Sequence, residues 1–112
     1  MHFKIIVPFY NVEKWIKVCI RSVKAQDYDN FQCILIDDAS TDDTTLIVEK
    51  EIEGDERFSF IKNEDNVGAL ENIYKAIQQS NPDDESVIVT LDGDDWFANK
   101  TVLSLLKSYY EK

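Results

Sequence analysis

The sequence predicts an α/β protein with an open, Rossmann-like, mainly parallel sheet of four strands and helices on both faces. Two observations lead to this prediction. Short β-branched runs alternate four times with longer segments in which apolar residues recur every three or four positions, and such alternation forms βαβ units with right-handed crossovers. Three of the four short runs are almost continuously apolar, which is typical of strands covered on both faces.

Two strand–helix units are predicted in the first half of the chain. The run FKIIVPF is the first strand, and VEKWIKVCIRSVKAQ is the first helix, with Asn11 as its N-cap. QCILID is the second strand, and STDDTTLIVEKEI contains the second helix, which Ser40 and Asp43 are expected to cap. The side chains expected to face the core are Trp15, Val18, Cys19, Ser22 and Val23 in the first helix and Leu46, Ile47 and Ile52 in the second.

The second half of the chain repeats the alternation. RFSFIKN is the third strand, and VGALENIYKAIQQS is a helix that ends before Asn81-Pro82, since a proline disfavours helix at the preceding residue. SVIVTLD is the fourth strand, and KTVLSLLKSYY is the last helix. The inward faces are expected to contain Leu70, Ile73, Tyr74 and Ile77 in the third helix and Val102, Leu105, Leu106 and Tyr109 in the fourth.

The composition indicates one globular domain that spans residues 1–112. Of 112 residues, 44% are hydrophobic, and 22 acidic residues outnumber 12 basic ones, for a net charge of −10. This negative charge argues against binding to nucleic acid or to an anionic membrane, both of which require a basic face. No apolar run reaches the ~18 residues of a membrane span, and the first residues do not have the pattern of a signal peptide.

The two cysteines, Cys19 and Cys33, match no metal-binding spacing. Disulfides are rare in the cytosol, where free cysteines are usually buried. We therefore expect reduced core thiols and a cytoplasmic location.

Each predicted strand ends in a polar cluster. The clusters are Pro8-Phe9-Tyr10-Asn11, Asp37-Asp38-Ala39-Ser40, the run from Asn63 to Gly68, and Asp92-Gly93-Asp94-Asp95. Taken singly, the second also fits helix capping, the third a turn with a left-handed glycine, and the fourth a solvated turn. Because ligands of open α/β sheets bind beyond the carboxyl ends of the strands, the convergence of all four clusters on one edge favours a binding site.

The segment LDGDDWF places three carboxylates within four positions, at Asp92, Asp94 and Asp95. A hard divalent cation, Mg²⁺ or Mn²⁺, would explain this crowding, because such ions prefer carboxylate, phosphate and water oxygens. The cation would also reverse the local charge, so that an acidic protein could hold a diphosphate. The chain contains no EF-hand loop, Walker phosphate loop or G-x-G-x-x-G motif.

These motifs resemble those of the family-two nucleotide-sugar glycosyltransferases, which are inverting enzymes with the so-called A-type fold. The resemblance runs in order through IIVPFYNVEKWIKVCIRSVKAQDYDNFQCILIDDASTDDT, NEDNVGALENIYKAI and VTLDGDDWF. It covers nearly the whole chain. The resemblance implies a UDP-sugar donor, a Mn²⁺ or Mg²⁺ cofactor and an acceptor whose identity the sequence does not indicate.

The resemblance also implies roles for individual residues. Asp38 resembles the acceptor for the uracil N3–H, and Asp94 the metal ligand of the D-x-D motif, whose first residue, Asp92, faces the ribose and the metal. Asp95 is a tentative catalytic residue that would orient the site. Pro8 and Tyr10 would lie beside the uracil, and Asn66 and Gly68 below the ribose and diphosphate. The full set of residues implied in nucleotide-sugar binding is Pro8, Tyr10, Asn11, Asp37, Asp38, Asn66, Gly68, Asp92, Gly93 and Asp94.

Two departures from the family pattern affect the functional prediction. Many relatives have an arginine in the helix after N-x-G, where this chain offers only Lys75. The half of the fold that binds the acceptor and supplies the general base is absent, so the chain is either a nucleotide-binding N-terminal half or a minimal form. Asp95 and Glu71 are spare carboxylates, but neither matches the family's base position.

The predicted function is that of a metal-dependent glycosyltransferase domain that binds a UDP-sugar, with UDP-glucose favoured, and transfers or slowly hydrolyses the sugar. One alternative is a non-catalytic nucleotide-sugar-binding module. A nucleotidyltransferase would show a glycine-rich N-terminal loop with Arg and Lys, which VPFYNVEKW lacks. Self-association as a homo-oligomer is also expected, because the sheet would end in an apolar edge beyond the fourth strand.

Overall fold

The computed structural model describes residues 1–80 and 86–111, which form four strand–helix units. The elements are β1 (His2–Phe9), α1 (Ile16–Lys24), β2 (Phe31–Asp37), α2 (Thr44–Ile52), β3 (Phe58–Lys62), α3 (Ala69–Ser80), β4 (Ser86–Thr90) and α4 (Val102–Tyr110). The strands are parallel and lie in the order β3-β2-β1-β4. The predicted fold class is confirmed; the predicted stop at Asn81-Pro82 lies outside the described residues.

Both faces of the sheet are covered, as predicted. Alternate residues of β1, such as Ile5 and Ile6, belong to two different apolar clusters. On one face the buried side chains of β1 and β2 pack against α1, α2 and α4, and on the other they pack against α3 through Ala76. The central strands β1 and β2 are therefore buried on both faces, and their carboxyl ends are held in fixed positions.

The inward faces of α1 and α2 differ from the prediction. In α1, Cys19 and Val23 are buried as expected, but Trp15 and Val18 are exposed, and Ile16 and Ile20 take their places. In α2, Leu46 is exposed and Val48 is buried. Each helix carries more apolar residues than one face can hold, so the apolar pattern alone did not identify the buried face.

The predicted inward faces of α3 and α4 were also partly wrong. The buried residues of α3 are Asn72, Ala76 and Ser80, with Ile73 and Ile77 partly buried beside them, whereas Leu70 is 83% exposed and Tyr74 is exposed as well. In α4, Leu103 is buried, and Leu105 and Tyr109 are exposed. Small residues let α3 approach the sheet closely, an effect that a search for large apolar side chains does not detect.

Two of the three residues predicted to cap helices, Asn11 and Ser40, instead connect two loops. Asn11 has a φ of 50°, and its Oδ1 accepts a hydrogen bond from the Thr41 amide at 2.8 Å. Ser40 Oγ accepts one from the Asn11 amide at 2.9 Å. The N-cap residue of α1 is Trp15. Asp43 is the N-cap residue of α2, but its side chain makes no capping hydrogen bond. These bonds hold the β1–α1 loop against the β2–α2 loop at the carboxyl edge of the sheet.

None of the helices in residues 1–80 and 86–111 is long and apolar enough to cross a membrane. Cys19 and Cys33 are free and buried, as expected.

Self-association stays a prediction, and the fold adds a surface on which it can be tested. β4 is an edge strand, and α4 exposes Leu105 by 70% and Tyr109 by 71%. Burial of such side chains against a second copy would be favourable. We expect light scattering to show a dimer or a larger species, and Leu105→Glu to shift it toward monomer. A monomer at high concentration would contradict this prediction.

Candidate functional site

The carboxyl ends of β1, β2 and β4 border a cavity of about 220 Å³. Loops from three strands and the first turns of α3 form its wall. The lining residues are Pro8, Phe9, Tyr10, Val12, Asp38, Ala69, Asn72, Asp92, Gly93 and Asp94. The cavity is smaller than the about 300–1,000 Å³ of complete small-molecule sites, so it suits one part of a ligand whose remainder lies on the open edge.

Six of the residues predicted to bind a nucleotide-sugar line this cavity. They are Pro8, Tyr10, Asp38, Asp92, Gly93 and Asp94. The other four, Asn11, Asp37, Asn66 and Gly68, do not line it. Nor do the spare carboxylates Glu71 and Asp95 or the cation of Lys75, which lie on exposed positions of the chain.

Asp37 supports the site from inside the protein. It is fully buried, and its carboxylate accepts hydrogen bonds from the Ser40 amide at 2.7 Å and from the Thr45 hydroxyl. It therefore ties the end of β2 to the first turn of α2. Asp38, the next residue, points to the opposite side, toward the cavity.

Asp38 is held by the loop that precedes α3. Its Oδ1 accepts hydrogen bonds from the Val67 amide at 2.8 Å and from Asn63 Nδ2 at 3.1 Å, and its Oδ2 accepts one from the Gly68 amide at 2.9 Å. Asn66 Nδ2 donates to the Asp38 backbone carbonyl at 3.3 Å. The carboxylate thus lies at the N-terminus of α3, where the helix dipole favours negative charge.

The environment of Asp38 lowers its pKa. Burial favours the neutral acid and would raise the pKa, but the hydrogen bonds from the Val67 and Gly68 amides, the nearby side-chain amide of Asn72 and the hydrogen bond from Asn63 together outweigh it. The carboxyl group is therefore ionised at neutral pH. It can accept a hydrogen bond from a ligand and cannot donate one.

The lowered pKa of Asp38 predicts a dependence of stability on pH. The folded-state pKa lies below the ordinary value of 3.8, so the ionised carboxylate stabilises the fold. This contribution is complete above the pKa of the unfolded chain and is lost as the pH falls through the folded-state pKa. We expect a ¹³C NMR titration of this carboxyl group to have a midpoint below 3.8. A higher midpoint would mean that burial dominates.

Asp92, Asp94 and Asp95 form an exposed acidic cluster beside the cavity. One carboxylate oxygen from each lies within 4.8 Å of the others, and the Asp95 amide donates to the Asp92 carbonyl at 2.9 Å to close the turn. Each pair of charges at this spacing costs about 1 kcal/mol even at the dielectric constant of water. The all-oxygen donor set fits Mg²⁺ or Mn²⁺.

Two contacts with α1 and the segment before it support the acidic cluster. Cys19 Sγ lies 3.8 Å from the Asp92 carbonyl oxygen, to which the thiol donates. Burial, followed by the charges of the acidic cluster, raises the pKa of Cys19 to about 12, so the thiol keeps its proton. Trp96 stacks on Trp15 with ring centroids 6.5 Å apart. The loop after β4 is therefore anchored on both sides of its carboxylates.

Comparison with known proteins now identifies the family. Residues 4–112 match the family model described as Glycosyl transferase family 2. The chain belongs to glycosyl transferase family 2.

Relatives in this family are much longer than the chain. It is 31% identical over 108 residues to glycosyltransferase GlyA of Streptococcus pneumoniae, a match that covers 96% of the chain and 15% of GlyA. A match to glycosyltransferase GlyG of the same organism is 28% identical and covers 96% of the chain and 35% of GlyG. The chain thus spans about a third or less of the length of these relatives.

Solved structures agree with the family 2 assignment. Residues 1–349 of Staphylococcus aureus TarS, in complex with UDP-GlcNAc, superpose with a TM-score of 0.84 at 31% identity, covering 99% of this chain and 31% of that one. The mannosyltransferase PcManGT from Pyrobaculum calidifontis, in complex with GDP-Man and Mn²⁺, superposes with a TM-score of 0.86 over 99% of this chain and 32% of that one, at 22% identity, and supports the fold alone. The A-type glycosyltransferase fold is therefore confirmed.

Sequence reasoning about this family 2 domain missed several residues at the site. Asn72 lines the cavity from α3. Cys19 contacts the Asp92 carbonyl, and the Trp15–Trp96 pair anchors the residue that follows Asp95. The spacing of Asn72, Ala76 and Ser80 at every fourth position was the only sequence signal for the first of these. The tryptophan pair joins residues far apart in the chain and has no local signal.

Gly93 allows the acidic cluster to approach β1. Its amide donates to the Pro8 carbonyl at 3.2 Å, and a Cβ at this position would lie 2.5 Å from the Phe9 Cβ. We expect Gly93→Ala to lower the free energy of unfolding by ~1–3 kcal/mol, the usual cost of overpacking. Urea unfolding would measure this loss.

A glycine elsewhere in the chain provides the control. At Gly54 an added Cβ meets nothing within 4 Å, but the φ is +81°, so Gly54→Ala reports backbone strain without steric overlap. Comparison of the two variants separates the cost of steric overlap from the cost of backbone strain. An unfolding free energy for Gly93→Ala equal to that of the parent would contradict the close approach.

Proposed function

We propose that this chain is the donor-binding part of a metal-dependent glycosyltransferase that uses a UDP-sugar. The observation that carries the proposal is the shared cavity, which Asp38 and Tyr10 line together with Asp92 and Asp94. A group that accepts a hydrogen bond from a base and a group that holds a metal beside a diphosphate are thereby within reach of one nucleotide. The TarS complexes with UDP and with UDP-GlcNAc, at 31% identity, support this donor class.

The proposed roles follow from the chemistry of each group. Tyr10 and Pro8 border the base, and the ionised Asp38 accepts its imide N–H, which uracil has and cytosine lacks. Asp92 and Asp94 hold Mg²⁺ or Mn²⁺; when bound, the cation offsets the negative charge that develops on departing UDP. Asn66 and Gly68 contribute indirectly, because they fix Asp38.

The proposal leaves the identity of the sugar, of the acceptor and of the catalytic general base to experiment. UDP-glucose is the sugar predicted from the sequence, whereas TarS was solved with UDP-GlcNAc, so both donors belong in the test. Asp95 stays a tentative catalytic residue, since it belongs to the acidic cluster and does not line the cavity. Because the proposal assigns the other carboxylates to the uracil ring and to the metal, we expect slow transfer or hydrolysis by this chain alone.

A non-catalytic nucleotide-sugar-binding module is the second candidate. It is favoured by one observation: among the described residues that line the cavity, the only carboxylates are Asp38, Asp92 and Asp94, which the proposal already uses. The absence of nucleic-acid binding and a cytoplasmic location stay predictions.

Thermal denaturation with a panel of nucleotides tests the proposal. The panel contains UDP, UDP-glucose, UDP-GlcNAc and GDP-mannose, each with Mn²⁺. We expect the uridine compounds to raise the melting temperature more than GDP-mannose. Release of UDP from a bound donor then separates an enzyme from a binding module. Failure of every nucleotide to stabilise the chain would overturn the proposal.

A further inference from the structure

Asn72 has a buried polar group that no contact in the described part of the chain accounts for. Its side chain is 1% exposed, and its Nδ2 has no hydrogen-bond partner. Leaving a buried donor unpaired destabilises a fold, and such groups are rare in folded proteins. An explanation is therefore required, and a ligand is the first to consider because Asn72 lines the cavity.

The orientation of the Asn72 amide is fixed by its other atom. Its Oδ1 accepts a hydrogen bond from Asn63 Nδ2 at 2.6 Å. The flipped amide would place two N–H donors face to face, so the network assigns Oδ1 to Asn63 and leaves Nδ2 free. Asn63 also donates to Asp38. The free N–H thus belongs to the same small network as the carboxylate proposed to read the base.

The hydrogen bonds from the described residues leave one acceptor position on the Asp38 carboxylate. An ionised carboxylate offers about four acceptor sites, and Val67, Asn63 and Gly68 fill two on Oδ1 and one on Oδ2. Asn72 lies close enough to help lower the pKa of Asp38, yet it makes no hydrogen bond of ordinary geometry to it. Asp38 and Asn72 both line the cavity, and between them they have one acceptor position and one donor that no described residue occupies.

We propose that Asn72 is a specificity-determining residue whose Nδ2–H donates a hydrogen bond to a carbonyl oxygen of the uracil ring, next to the N3–H that Asp38 Oδ2 accepts. Uracil places N3–H directly between two carbonyl groups, so an adjacent donor and acceptor on the protein match its edge. This inference rests on the proposed UDP-sugar function. It adds a second contact to the base, on a residue outside the loop motifs.

NMR on the unmodified chain tests the contact directly. In a ¹⁵N-labelled sample with Mg²⁺, UDP should move one Asn72 side-chain N–H resonance downfield. The Asn30 side-chain amide, which donates to the Met1 carbonyl at the opposite edge of the sheet, should not move. An Asn72 resonance that stays unchanged at saturating UDP would overturn the inference.

A thermodynamic cycle identifies the partner atom. Sulfur is a weaker acceptor than oxygen, so the parent should bind one of 2-thio-UDP and 4-thio-UDP about tenfold more weakly than UDP. Asn72→Ala should bind UDP and that analogue equally, because the donor is gone. Gln78→Ala, an exposed position on the same helix, should behave like the parent. Asn72→Ser replaces the alanine variant if the latter does not fold.

The outcomes separate this inference from the proposed function. A parent that binds no UDP removes both. A parent that binds UDP, with the same thio-analogue penalty in Asn72→Ala, overturns only the role of Asn72 and leaves it as a support for Asp38.

Discussion

Asp38→Ala is expected to weaken UDP binding by ~1.5–3 kcal/mol, the usual scale for a hydrogen bond to a charged group. This corresponds to a factor of about 10 to 150 in Kd. The variant should also loosen the loop before α3, because the amides of Val67 and Gly68 and the side chain of Asn63 would lose their acceptor. Isothermal titration with UDP and Mn²⁺ measures the first effect, and thermal unfolding without ligand measures the second.

A neighbouring carboxylate supplies the control for this experiment. Asp42 also has a pKa that is lowered against burial by hydrogen bonds, chiefly from Thr44, but it does not line the cavity. Asp42→Ala should therefore destabilise the fold and leave the Kd for UDP unchanged once the protein is folded. If Asp38→Ala binds UDP as tightly as the parent, Asp38 is only an anchor for the loop and the assignment to the base is wrong.

The strands could be predicted closely because their signal is local. A β-branched run bounded by polar residues is readable without knowledge of neighbours, and the four strands lie within two residues of their predicted ends. Parallel order then places their carboxyl ends on one edge. This is why Pro8, Tyr10, Asp38 and Asp94 could be expected to meet before any contact was known.

Helix faces and caps were less predictable, because both depend on distant partners. Ser40 has the side chain of a cap, but its oxygen accepts from the Asn11 amide, 29 positions away. In α4 several faces are apolar, and only the position of the sheet decides that Leu103 is buried and Leu105 is exposed. Local sequence specifies what a side chain can do, and the fold decides which of several partners it meets.

The candidate site divides in the same way. The acidic cluster is contiguous in sequence and was readable as a metal site, whereas Asn72 requires three elements to come together before its amide is buried beside Asp38. Asp37 and Asp38 show a further limit. They are adjacent and chemically identical, but the pleat sends one toward α2 and the other toward the cavity.

UDP is expected to stabilise the fold only when Mn²⁺ or Mg²⁺ is present. The acidic cluster would repel a diphosphate, and the cation offsets that repulsion. At a UDP concentration of 100 Kd the gain in unfolding free energy should be ~2.7 kcal/mol. Asp94→Asn should abolish this gain with little change in the melting temperature of the free protein, since Asp94 is exposed and its removal relieves crowding.

Tryptophan fluorescence reports the same event without heating. Trp96 follows Asp95 directly and is half exposed, so paramagnetic Mn²⁺ in the acidic cluster should quench its emission. Asp94→Asn should weaken the quenching, whereas Asp43→Asn, which removes an exposed carboxylate of another loop, should not. Because EDTA chelates the cation, stabilisation by UDP in excess EDTA equal to that with Mn²⁺ would contradict the proposed role of the metal. The acidic cluster would then be a solvated turn that leaves diphosphate binding to the backbone amides at the edge of the sheet.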